Sequence, residues 1–179
     1  MPLRSGRCER PREVSLVALA TDDVELRTAT LALAPRLDQE RFSGRARETL
    51  PWADRVTAMT PFAVVADGAS VGFGILDTTE LHLLALTARP DRAVLLRSFY
   101  VDAAHQGCGI GRRAAVAVGI LARDIAAHAT EVVLTVDEHN PIAAHTYRSA
   151  GFVDDGDRYL GGTLGPQHIL RLPLPPPTD

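Results

Sequence analysis

The sequence predicts an α/β domain organised around a mixed β-sheet, and three observations carry that reading. The chain has 179 residues, 46% of them apolar and 23% charged, the length and balance of one globular domain. A hairpin pattern comes first, followed by strand, helix, strand, helix, strand, which adds parallel pairing to an antiparallel start. The strongest helical stripe lies between two apolar runs that read as strands, and a glycine-rich turn leads into it.

Residues 14–20 (VSLVALA) read as the first strand. Thr21 and Asp22 are N-cap types, so 22–33 follows as a helix that Pro35 ends. Residues 36–50 read as a second helix or helical loop, closed by Pro51. The run 62–67 (FAVVAD) is a strand, Asp67-Gly68 is a two-residue hairpin signal, and 71–76 (VGFGIL) is the return strand. Residues 80–90 fit a strand or a short helix equally well. Residues 94–101 (VLLRSFYV) form the next strand, and 106–111 the glycine turn. Ile110, Ala114, Ala117, Leu121 and Ile125 then recur at helical spacing. The unbroken run 131–137 (EVVLTVD) is that of a strand covered on both faces. Asn140 and Pro141 are the N-cap and first position of a further helix, which Gly151 closes. Residues 152–154 and 167–172 read as two last strands around a glycine-rich loop. The Arg- and Pro-rich residues 1–12 read as a disordered tail and 174–179 as a Pro-rich one, leaving 13–173 as a single domain.

All 19 basic residues are Arg, and there is no Lys. That excludes a lysine Schiff base, a pyridoxal anchor or a phosphate-loop lysine. With 22 acidic residues the net charge is −3, which argues against non-specific nucleic-acid binding. Two cysteines, Cys8 and Cys108, make no disulfide framework. No secretory leader opens the chain, and no apolar run approaches the ~20 residues of a membrane span. The expectation is a soluble cytoplasmic protein without membrane, nucleic-acid or metal partners.

The chemistry concentrates in two segments. In the first, Gln106-Gly107-Cys108-Gly109-Ile110-Gly111-Arg112-Arg113 leads from a strand into a helix. Its glycines let backbone approach a ligand, and its amides sit at a helix N-terminus, where an anion such as a pyrophosphate is favoured. Neither familiar nucleotide loop fits. A dinucleotide fingerprint needs a third glycine where Arg112 stands, and a P-loop needs a lysine. In the second, Asn140, Ala143, Tyr147, Gly151 and Phe152 follow about thirty residues on. Each has a bland structural explanation alone: a cap, a helix residue, a half-buried aromatic, a C′ glycine, a core residue.

Together the two segments resemble the GNAT N-acetyltransferase superfamily. Gln106-x-x-Gly109-x-Gly111 and Asn140-x-x-Ala143-x-x-x-Tyr147-x-x-x-Gly151-Phe152 carry the resemblance over residues 94–153, and the order of elements extends it over 14–93. The resemblance implies a sheet of six to seven strands flanked by about four helices and splayed after the central strand. It implies acetyl-coenzyme A as cosubstrate, a small-molecule amine as acceptor, direct attack in a ternary complex, and a possible homodimer. It places Phe99, Tyr100 and Val101 along the pantetheine arm. The amides of Gln106, Gly107, Cys108, Gly109, Ile110, Gly111 and Arg112 fall around the pyrophosphate, with Cys108 as a spacer. Asn140, Ala143 and Tyr147 also border the coenzyme. Val101 N–H would polarise the thioester carbonyl, and Tyr147 would protonate the departing thiolate. Protein or peptide acetylation, and non-catalytic acyl-coenzyme A binding, are the alternatives.

The general base and the acceptor are not implied. Positions on the central strand that carry a base in some family members hold Leu95 and Arg97. The candidates are His168, taken first for its place on a last strand, then His82, Glu80, Asp77 or a water chain. Asp77, Glu80, Asp154, Asp155 and Asp157 suit a cationic amine as an acidic mouth, whereas an inward Arg97 suits a carboxylate-bearing one.

Overall fold

A computed structural model describes residues 10–176 of the chain. In chain order the elements are β1 (Val14–Ala18), α1 (Val24–Leu31), α2 (Ala46–Ala53), β2 (Met59–Ala66), β3 (Ala69–Asp77), α3 (Glu80–Leu83), β4 (Ala93–Val101), α4 (Ile110–Ile125), β5 (Glu131–Asp137), α5 (Pro141–Ser149), β6 (Val153–Tyr159) and β7 (Gln167–Pro173). The strands form one sheet in the order β1-β2-β3-β4-β5-β7-β6. Pairing is antiparallel except between β4 and β5. The mixed α/β architecture is the expected one, with seven strands and five α-helices among the described residues.

Local chemistry explains most boundaries. Asp23, rather than Asp22, caps α1 by accepting from Leu26 N at 3.0 Å. Asp67 and Gly68 have φ of 47° and 84°, the left-handed pair that a two-residue hairpin needs. The Asp67 carboxylate also accepts from Arg12 N and Glu13 N, which ties the start of β1 to this turn. The ambiguous stretch after β3 becomes one helical turn, α3, and an irregular connection.

Three expectations need correction. Pro51 does not close the second helical segment. That segment divides into a 3-10 turn, Leu37–Phe42, and α2, which runs past Pro51 to Ala53. Pro51 forfeits one intrahelical bond, but Ala46, Leu50 and Ala53 bury the face that holds the helix to the sheet. The stripe of α4 is rotated: Ile110, Ala114, Ala115, Val118, Leu121 and Ala122 are buried rather than Ala117 and Ile125. The strand expected at 152–154 runs instead to Tyr159, because β6 is a polar outermost strand held by backbone pairing with β7. Residues 1–9 and 177–179 of the expected tails lie outside the described residues. Leu174, at the start of the second tail, is buried and donates its N–H to Thr130 O at 2.8 Å.

Two features position the site. β4 pairs with β5 only through Ala93, Val94 and Leu95. Residues 96–101 stay on β3 but part from β5, which leaves a gap in the middle of the sheet. β4 also carries one extra residue between the partners of Phe73 and Ile75, and there Ser98 has φ of 51°. Val94 and Leu96 face the core under α4 before this bulge; Phe99 and Val101 face it afterwards. On the other face, Ala93 and Leu95 pack with Leu83 of α3 and Tyr100 with Leu50 of α2. Phe62, Phe99, Tyr147 and Phe152 form a row of ring contacts 5.5–6.3 Å apart across the α4 side. Gly74 makes room for it, since a Cβ there would lie 2.3 Å from Phe62 Cζ.

Candidate functional site

The parting of β4 and β5 opens a cleft of about 830 Å³, within the size range of small-molecule and cofactor sites. Its rim begins at the glycine turn. Gly107 and Gly109 have φ of 84° and 78°, and a Cβ at either would meet nothing within 4 Å. Left-handed glycines on either side of one residue are the kind of turn in which backbone amides form an anion-binding concavity. Among the described residues no acceptor is bonded to the amides of Gly109, Ile110, Gly111 or Arg112. Those donors are the unsatisfied N–H groups of the first turn of α4. Arg112 lines the cleft with its Nε donating to Ser149 O at 2.9 Å, which fixes the guanidinium beside the turn. Arg113 is spent elsewhere, on the carbonyls of Pro11 and Arg12.

The open side of β4 supplies the next donors. Asp102 N donates to Val71 O at 2.8 Å, so strand alternation turns the N–H and C=O of Val101 the other way, into the gap. Gln106 Nε2 holds that carbonyl at 2.9 Å and also reaches Gln39 Oε1. The Val101 N–H remains for a ligand.

The opposite wall is α5. Asn140 caps it, accepting from Ala143 N at 3.2 Å, and both residues line the cleft. Tyr147 sits on the same helix, buried against Phe99 and Phe152. Its hydroxyl has no hydrogen-bond partner among the described residues, and burial pushes its pKa well above the usual phenol range. The phenol therefore stays protonated and able to donate at neutral pH.

Phe99, Gly107, Gly109, Ile110 and Gly111 line the cleft as well. Three sequence candidates stand apart. Tyr100 also lines it, but its hydroxyl accepts from Ala46 N at 3.0 Å and donates to Leu33 O, turned toward α1 and α2. Cys108 is buried in the α4 core rather than on the cleft wall. His168 does not line the cleft. It lies one register step from Ile169, on the same face of β7 as Leu170, and its Nδ1 is 2.9 Å from Asp154 Oδ2. His168, the first candidate for the base, thus lies behind the cleft lining.

Two other carboxylates lie at the cleft or directly behind its wall. Asp77, at the end of β3, is fully buried. Its Oδ1 accepts from Thr79 N at 2.9 Å, and its Oδ2 bonds His82 Nδ1 at 2.7 Å and Arg97 Nη1 at 3.0 Å. Burial alone raises the Asp77 carboxyl, but the hydrogen bonds from Thr79, His82 and Arg97 outweigh it and hold the group below the ordinary carboxylate range. Against an ionised Asp77, the neutral tautomer of His82 donates from Nδ1 and carries its lone pair on Nε2. His82 and Arg97 line the cleft. The second group is Asp137, at the C-terminal end of β5. His139 N and Nδ1 occupy its Oδ1, while its Oδ2 is buried without a partner among the described residues, and the residue lines the cleft. Sequence reasoning passed over Asp137. Its signal was position, since ligands of open α/β sheets gather at carboxyl ends of strands.

Known proteins share this fold. The sequence profile of the acetyltransferase (GNAT) family matches residues 26–152. An uncharacterized N-acetyltransferase of Bacillus subtilis (strain 168), YbbJ, is 32% identical over 134 residues, 75% of this chain and 82% of the relative. Among solved structures, the aminoglycoside acetyltransferase AAC(6')-Ib in complex with coenzyme A and kanamycin superposes with a TM-score of 0.67 at 17% identity, covering 90% of this chain and 95% of that one. The spermidine N-acetyltransferase of Vibrio cholerae in complex with CoA and spermine superposes with a TM-score of 0.61, also at 17% identity, covering 89% and 95%. At these identities the two structures speak for the fold.

Proposed function

The chain belongs to the GNAT acetyltransferase family, and on that premise we propose that it moves the acetyl group of acetyl-coenzyme A directly onto the primary amine of a small molecule, with both substrates bound in the cleft at once. The observation that carries this reading is the order of donors along one continuous gap. Unpartnered amides and Arg112 lie at one end, the free Val101 N–H along β4, and the protonated Tyr147 hydroxyl across from it on α5. A pyrophosphate at the first, a thioester carbonyl at the second and a thiolate at the third account for each without an extra group.

The chemistry follows from these positions. The amine lone pair attacks the thioester carbon, and charge developing on the carbonyl oxygen is met by the Val101 N–H. The C–S bond breaks, and Tyr147 protonates the sulfur. A thiolate is already a weak base, so this donor speeds departure without being indispensable. An alkyl ammonium, with a pKa near 10, must first lose a proton, so a base has to act on the acceptor side. Holding the two substrates side by side supplies much of the remaining rate.

A small acceptor fits the cleft volume, and the aminoglycoside and spermidine enzymes of the same fold were solved with small amines. The test is release of free thiol from acetyl-coenzyme A across a panel of small amines. Release with at least one supports the reading. Coenzyme binding with no release from any of them overturns it in favour of a non-catalytic binding module.

A further inference from the structure

The acceptor half of the cleft does not suit a polycation. None of the five acids that together made an acidic mouth lines the cleft. Asp77 is saturated; Asp154 is held by Arg148 and His168; Asp155 and Asp157 both pair with Arg171, at 3.1 and 2.9 Å. Among the described residues Asp137 is the one carboxylate that lines the cleft, against three arginines, Arg41, Arg97 and Arg112. A ligand with several ammonium groups would bring like charges together at short range.

Arg97 is built to hold an anion. Trp52 covers its guanidinium at 4.8 Å, and Asp77 fixes Nη1. Its Nε and Nη2 have no partner among the described residues. They form the side edge that grips a carboxylate through two parallel bonds. His82 stands next to it, with Nδ1 3.4 Å from Arg97 Nη1. Both side chains bond the same Asp77 oxygen, so the anion-binding edge and the free His82 Nε2 keep a fixed, short separation.

We propose that this wall of β3, α3 and β4 is an acceptor subsite for an amine bearing a carboxylate a few bonds away, as in an α-amino acid, with Arg97 binding the carboxylate and His82 receiving the proton of the amine. The assignment rests on the acetyl-transfer reading above and names its acceptor and its base. The arriving ammonium gives one proton to His82 Nε2, and the neutral nitrogen forms the C–N bond as the C–S bond breaks. The thiolate takes the Tyr147 proton, and the second proton shed by the nitrogen restores the phenol. His82 returns its proton to solvent. Asp77 is the positioning residue that sets the His82 tautomer and anchors both groups.

The experiment measures thiol release by the full chain with an α-amino acid, its decarboxylated amine, spermidine and kanamycin, each as acceptor. The expected result is a kcat/KM at least about tenfold higher for the amino acid than for its decarboxylated counterpart, since a charge-assisted pair supplies that much discrimination. Arg97→Lys, which keeps a cation for Asp77 but loses the two-bond edge, should collapse that ratio toward one, mainly through KM. His82→Gln should lower kcat with coenzyme affinity retained. Turnover of spermidine or kanamycin but not of the amino acid overturns the assignment while leaving the transferase reading intact. An unchanged ratio in Arg97→Lys overturns it equally. No release from any amine overturns both.

Discussion

The two halves of the cleft are built by different means. The half that we propose for the coenzyme is backbone: two left-handed glycines, the first turn of α4 and the open side of β4, all within residues 96–113. The half that we propose for the acceptor is side chains brought together from separate elements, with Asp77 from β3, His82 from α3, Arg97 from β4 and Trp52 from α2. A backbone cradle binds a constant ligand and depends little on which side chains surround it. A side-chain cluster sets the partner and changes it cheaply. If that division holds, substitutions in one half should leave the other half's readout alone.

The largest expected effect is on the acceptor side. His82→Gln should lower kcat by about a hundredfold or more, the range of a lost general base, while coenzyme affinity measured by titration stays put. A parallel fall in coenzyme affinity would break the division. Tyr147→Phe comes next, with a drop in turnover of about tenfold because a thiolate departs without much help. The same burial that raises the Tyr147 pKa keeps the phenol protonated through pH 9, so kcat should show no loss from its ionisation below that pH. On the coenzyme side, Gly109→Ala forces a side chain into a left-handed position at a cost of about 1–2 kcal/mol. It should weaken coenzyme binding by roughly tenfold and leave the acceptor KM unchanged.

Two smaller effects concern stability. The folded pKa of Asp77 is held below its unfolded value. Its contribution is therefore present above pH ~4 and is lost as pH falls through the folded value. Asp77→Asn should flatten the acid limb of a thermal-melting pH series by comparison with the parent. Ser98→Gly removes a left-handed strain at the bulge and should raise Tm by a few degrees, worth about 1 kcal/mol. If it lowers kcat at the same time, the bulge helps aim the residues that follow it.

The same division explains what the sequence discloses. The coenzyme half lies in one strand, turn and helix, so Gln106, Gly109 and Gly111 announce it through local spacing, and Asn140 and Tyr147 follow at helical intervals. The acceptor half has no such signature. His82 and Asp77 stand five residues apart, but nothing in that interval predicts that Arg97 would join them. The bulge at Ser98 is silent too, because a serine carries no turn preference that marks a left-handed residue within a strand. It reverses the facing of the residues beyond it and separates Arg97 from Phe99. An alternating strand shows which residues share a face but not which of them reach the cleft, so the sequence does not disclose that His168 lies behind the lining. β6 was cut short since Asp154, Asp155, Gly156 and Asp157 have poor strand propensity, and pairing with β7 overrides it.

The parting of β4 from β5 has a consequence for solubility. Residues 96–101 expose unpaired strand backbone, the feature that elsewhere invites chains to stack on one another and aggregate. Here that exposed backbone lies in the interior of the sheet, recessed between β5, α5 and the glycine turn, rather than on its rim. A second sheet cannot reach it; a slender, flexible chain about as wide as one strand can. The fold keeps a sticky surface for a ligand by placing it where only the ligand fits.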